Sequence, residues 1–196
     1  MKHHFSFLGI KTETRRAVFQ DLCKKHQSEI QSNFREISWE LFNKKEREFQ
    51  YCGMEILIKD IKKKYLKEED KLIEQWIITN SWWDSVDVLA KYFLGGYLLQ
   101  FPEETLTVIK RFSNSNNMWL NRSAILFQLG YKQKTNFDLL KSECEKHKNS
   151  NEFFIQKAIG WALREYGKTN PQVVKNHVIN TNLKPLSTKE ALKNIF

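Results

Sequence analysis

The chain has 196 residues and a mass of 23.5 kDa, enough for one domain or one short repeat array with a buried core. Lys and Arg together number 32 against 23 Asp and Glu, a net charge of +9, which favours an anionic partner, either nucleic acid or an acidic membrane surface. Seven Gly and three Pro exclude a loop-rich all-β fold and a Gly-rich nucleotide loop, and no run approaches the roughly 18 apolar residues of a membrane span.

In chain order, the start MKHHFSFLGIKTETRR has an apolar patch too short for the core of a secretion signal. Glu46–Ile61 then places Phe49, Cys52 and Ile56 at helical steps, and Ser81–Phe93, Met118–Leu129 and Glu152–Tyr166 do likewise. Polar breaks at Asn80-Ser81, Ser113–Asn117 and Asn149–Asn151 supply helix N-caps. No stretch alternates long enough to compete as a strand. Cys23, Cys52 and Cys144 are far apart and form no CxxC, and the five histidines show no ligand spacing. The chain therefore reads as reduced and cytoplasmic, with no metal and no cofactor expected.

The helices resemble one another. LNRSAILFQL superimposes on FIQKAIGWAL, and the same register aligns Cys52, Asp87, Ala124, Ala158 and Ala191, with spacings of 35, 37, 34 and 33 residues. A period near 35 in an all-α chain predicts a curved α-solenoid of HEAT-like helical repeats, taken as one domain over residues 1–196. Four members of that column are small and apolar, as a helix–helix seam requires. The fifth, Asp87, is a carboxylate whose burial without a partner costs several kcal/mol. It must be paired or face a cleft. Trp83, four residues earlier, lies on the same helical face. Two positions before the column run Gln50, Ser85, Arg122, Gln156 and Lys189. This polar stripe reads either as a solvated ridge or as a line of contacts along one face.

Charge is uneven along the chain. Residues 1–70 carry net +3, residues 71–130 are neutral and aromatic, and residues 131–196 carry net +6. A phosphate backbone gripped at both sides of an aromatic-acidic centre fits this pattern.

The segments HFSFLGIKT, EREFQYCGMEIL, NSWWDSVD, MWLNRSAILFQL and EFFIQKAIGWALREYGKTNP, in this order over nearly the whole chain, resemble the AlkD-type DNA alkylation repair proteins, which are HEAT-like-repeat DNA glycosylases. The resemblance implies hydrolysis of the N-glycosidic bond of cationic alkylpurines such as 3-methyladenine and 7-methylguanine in duplex DNA. It implies Asp87, Trp83 and Trp161 as the catalytic cleft, and Arg122 as a contact to the backbone beside the lesion. The expected DNA-binding set is Arg122 with the stripe residues Gln50, Ser85 and Gln156 and the basic Lys157 and Arg164. The expected partner is duplex DNA, bound by a monomer with no membrane involved.

Two departures from the family pattern shape these expectations. Family members carry further N-terminal helical sequence ahead of HFSFLGI, including a helix that approaches the minor groove. That element is expected to be absent here. Asn121 also stands where a second basic residue is common. The alternative to an excising enzyme is therefore a catalytically silent paralogue with weak DNA binding. A HEAT-like protein-interaction module ranks third, because such a module needs no carboxylate beside two indoles.

Overall fold

The structure is a computed structural model and describes residues 4–62 and 64–194. The all-α expectation holds. Among the described residues the extended pairing is confined to one isolated parallel bridge, Ser6 with Glu46. No described helix is long and apolar enough to cross a membrane. The chain divides into two compact units, Met1–Leu66 and Lys67–Phe196.

The first unit holds α1 (Thr12–Lys25), α2 (Gln27–Phe42) and α3 (Arg47–Asp60). α2 and α3 pack so closely that a Cβ on Gly53 would lie 2.9 Å from the Phe42 amide nitrogen. The segment before α1 is tied down by the start of α3. The Arg47 amide donates to Ser6 O at 2.9 Å, and the Glu48 carboxylate accepts from the amides of Leu8 (3.0 Å), Gly9 (3.0 Å) and Ile10 (3.4 Å). The buried Arg47 guanidinium lies 4.0 Å from the centre of the Phe5 ring. Burial works against the charged form of Glu48, but the amide donors outweigh it and hold the carboxyl below its ordinary range.

The second unit contains α4 (Asp70–Ile78), α5 (Trp83–Val88), a π-helical turn (Leu89–Leu94), α6 (Gly95–Gln100), α7 (Thr105–Ser113), α8 (Met118–Leu126), α9 (Phe137–His147), α10 (Phe153–Gly167), α11 (Pro171–Asn180) and α12 (Pro185–Ala191). α5, α8, α10 and α12 pack in succession. α4 and α7 lie on α8, α9 against α8 and α10, and α11 against α10 and α12. The polar breaks act as caps: Asn117 Oδ1 accepts from the Trp119 amide, Asn136 Oδ1 from Leu139, and Asn170 Oδ1 from Val173.

Each column residue falls on a helix and is buried: Cys52 on α3, Asp87 on α5, Ala124 on α8, Ala158 on α10 and Ala191 on α12. The repeat is therefore a packing repeat. The sequence period predicts an unbroken helix over Ser81–Phe93, whereas the chain passes from α5 into the π-helical turn. The buried stripe there runs Val86, Ala90, Leu94, Leu98, four residues apart, which is slower than the 3.6 of an α-helix. A wider turn keeps that stripe facing inward. Trp76 meets Phe93 edge-on at 6.1 Å in the core of this unit.

Gly160 marks the close approach of α10 to α12. A Cβ there would collide with Glu190 Cβ and sit 2.8 Å from Ser187 O. Gly160→Ala is expected to destabilise the protein by about 1–3 kcal/mol, read as a lower urea midpoint at unchanged m-value. In the first unit, the depressed pKa of Glu48 means that its stabilisation is present above the unfolded carboxyl value and disappears as pH falls through the lower folded value. The protection factors of the Leu8 and Gly9 amides, measured against intrinsic exchange at the same pH, should therefore fall in acid. Glu48→Gln should remove that pH dependence and leave both amides weakly protected at neutral pH.

Candidate functional site

The second unit brings the anomalous carboxylate together with its partner. α5 begins directly after Trp82, because the Ser85 hydroxyl accepts from the Trp82 amide and donates to the Trp82 carbonyl. This fixes the first turn and points Asp87, one turn after Trp83, toward α8. Arg122 of α8 meets it in a fork: Nε donates to Oδ1 at 2.7 Å and Nη2 to Oδ2 at 2.9 Å. The remaining Nη1 donates to the Phe154 carbonyl at the start of α10, and the guanidinium sits 5.9 Å from the centre of the Phe154 ring. Arg122 is 4% exposed and Asp87 9%. Burial pushes the Asp87 carboxyl above its ordinary range, while the hydrogen bonds and charge of Arg122 pull the other way.

The pair opens onto a cleft of about 310 Å³, also lined by Trp83, Phe153, Phe154, Lys157, Trp161, Arg164 and Glu190. Lys157, Trp161 and Arg164 recur at helical steps along one face of α10. Trp83 is half-exposed at the rim. Glu190, from α12, receives Lys157 Nζ on one oxygen and Arg164 Nη1 on the other, both at 2.7 Å. Those two hydrogen bonds, from Lys157 first and Arg164 second, hold its carboxyl down at about 2, so it stays ionised. Behind the cleft, Trp82, Trp119 and Phe154 form a triangle of rings with centroids 5.1–5.8 Å apart.

Six of the residues singled out from sequence line this one cleft: Asp87, Trp83, Trp161, Arg122, Lys157 and Arg164. The fork of Arg122, assigned to a phosphate by resemblance, is instead engaged by Asp87, because a buried carboxylate must be paired. The stripe residues have another place. Gln50 is buried in the first unit, where Nε2 donates to Lys44 O and Oε1 accepts from Arg47. Gln156 Nε2 likewise donates to Ser150 O, six residues upstream as in Gln50, and Ser85, in the first turn of α5, is fully buried and bonds back to the Trp82 carbonyl. These side chains close the loop that precedes their own helix. In the repeat where the stripe residue is Arg122, the neighbouring Asn121 does this work, donating to the carbonyls of Phe112, Ser113 and Ser115.

Glu190 and the Phe153–Phe154 pair were not singled out from sequence. The two phenylalanines at the start of α10 were a readable signal, since Phe153 is an exposed aromatic on a helix that already carried Trp161. Glu190 stands next to the column residue Ala191 but gives no periodic signal.

A family model described as DNA alkylation repair enzyme matches residues 1–195. The chain belongs to this DNA alkylation repair family. A solved structure described as a predicted DNA alkylation repair enzyme from Enterococcus faecalis is 35% identical, with a TM-score of 0.88 over 98% of this chain and 90% of that one. The fold is shared more distantly with AlkD2 from Streptococcus mutans (17% identity, TM-score 0.67, 97% of this chain and 92% of that one) and with smu.31 from the UA159 strain of the same species (17%, 0.65, 94% and 98%). No curated protein matches. Within the family's helical-repeat fold, the buried Asp87–Arg122 pair sits where two successive repeat helices, α5 and α8, meet.

Arg122→Ala would leave Asp87 as a buried charge without a counterion. The variant is expected to lose about 3–5 kcal/mol in urea denaturation. Trp83→Ala, at the half-exposed rim, should change stability by no more than about 0.5–1 kcal/mol.

Proposed function

We propose that this protein hydrolyses the N-glycosidic bond of positively charged N-alkylated purines, such as 3-methyladenine and 7-methylguanine, in duplex DNA, acting as a cytoplasmic monomer. One observation carries the reading: a buried carboxylate, Asp87, is held by Arg122 at a cleft whose walls include two indoles, Trp83 and Trp161.

The chemistry follows from those groups. Alkylation makes the purine cationic, so the electron pair of the breaking C1′–N bond neutralises the leaving base. No proton has to be delivered to that base. The cleft accordingly needs no general acid, and Glu190, its other carboxylate, is held ionised. Positive charge develops on the sugar as the bond breaks. Asp87 stabilises that charge electrostatically and accepts the proton of the water that adds to C1′. Each Asp87 oxygen uses one lone pair on Arg122 and keeps another. The indole faces of Trp83 and Trp161 present negative quadrupole to the cationic base or sugar, worth about 0.5–2 kcal/mol each.

A second reading, a catalytically silent paralogue with weak DNA binding, is favoured by one feature: the three cations at the cleft are already joined to carboxylates, Arg122 to Asp87 and Lys157 and Arg164 to Glu190. Such pairing weakens the pull on phosphates.

Incubation with methylated duplex DNA should release free 7-methylguanine or 3-methyladenine. Asp87→Asn should lower the rate by about 10²-fold or more while leaving duplex binding in place. A folded wild-type preparation that releases no base at enzyme excess would eliminate the enzymatic reading and leave the silent paralogue.

A further inference from the structure

Lys157 and Arg164 stand two turns apart on α10, with Trp161 between them on the same face of the cleft. In a protein whose ligand is a polyanion, both would be phosphate contacts. Both are engaged by one internal anion. Glu190 receives Lys157 on Oε1 and Arg164 on Oε2, and its backbone carbonyl accepts a further hydrogen bond from Arg164 at 3.1 Å.

This carboxylate is delivered by the backbone rather than by a free side chain. α12 is pressed onto α10 at Gly160, where Glu190 Cβ occupies the space a side chain would need. The Ser187 hydroxyl also donates to Gln156 O at 3.0 Å. The Glu190 side chain is 15% exposed, against 36% for Lys157 and 24% for Arg164, so the anion lies deeper than the cations it joins. A carboxylate and a phosphodiester each offer two charged oxygens to paired cationic donors, so one can stand in for the other.

We propose that Glu190 acts as a built-in phosphate mimic in the free protein, occupying the place of a DNA phosphodiester on Lys157 and Arg164, which the family resemblance already implies as DNA contacts. This rests on the reading of the cleft as a DNA site. Glu190 then sets how tightly undamaged duplex is held at the cleft, because a backbone phosphate must compete with it for the same two cations.

The test is duplex affinity of the full chain, measured by fluorescence anisotropy on a short unmodified duplex over a salt series. Glu190→Gln should tighten binding about tenfold and steepen the salt dependence by up to about two phosphate contacts. Lys157→Gln should abolish most of that gain in the Glu190→Gln background, yet weaken the wild type less than about twofold, because Lys157 is already neutralised there. Should Glu190→Gln fail to fold, Glu190→Ala, which keeps the Cβ packed against Gly160, takes its place: tighter binding with a steeper salt slope supports the mimic, and unchanged affinity and slope overturn it. If the wild type binds and Glu190→Gln binds no more tightly at the same salt slope, the mimic is wrong and the DNA reading survives. Binding by Glu190→Gln alone supports the mimic. Absence of binding by both proteins at low salt defeats both readings.

Discussion

The second unit is organised around a charge placed in a seam built for methyl groups. At the equivalent position, neighbouring repeats carry Ala124, Ala158 and Ala191, so successive helices touch through small side chains. Asp87 interrupts that series, and desolvating its carboxylate is affordable only because Arg122 meets both oxygens and then reaches the Phe154 carbonyl with its remaining arm. Three successive repeat helices, α5, α8 and α10, therefore converge on one guanidinium. Buried pairs of this kind contribute little net stability compared with a well-packed apolar seam, yet are destructive when half removed. Under the proposed function, the chemistry of the cleft, rather than stability, accounts for this pair.

The electrostatics of the cleft differ from those of the whole chain. The net charge of +9 suggests strong attraction to any polyanion. At the cleft, three cations face two carboxylates, leaving +1, with each cation in a close ion pair. Under the proposed function, most of the attraction to DNA then arises from lysines and arginines outside the cleft, and the indole faces with the Asp87 carboxylate, rather than the net charge of the cleft, favour a cationic base. This division suits a ligand that is anionic along its backbone and cationic at one base.

The polar stripe shows how a repeat can mislead. Gln50, Ser85, Arg122 and Gln156 recur at one register, which reads equally well as a ridge or as a contact surface. In the folded chain Gln50 and Gln156 each return six residues upstream to a backbone carbonyl, and Ser85 closes the turn before α5. In these three repeats the stripe residue satisfies a carbonyl of the tight segment that leads into its helix. Arg122 escapes that duty because Asn121 assumes it, and so becomes available to Asp87.

The sequence by itself determined the helical class, the period near 35 and the one column position that breaks the apolar rule. Each depends on local spacing, which the chain carries without reference to distant partners. Spacing from Asp87 marks Trp83, and the family resemblance adds Trp161, with the basic Lys157 and Arg164 beside it; the four meet at one cleft. Tertiary structure alone decided what the charges do. Arg122 reaches a residue 35 positions away, and Glu190 reaches Arg164 across 26. Such pairings depend on how closely two helices approach, and that distance is set by residues such as Gly160, whose missing side chain admits Glu190 to the cleft wall.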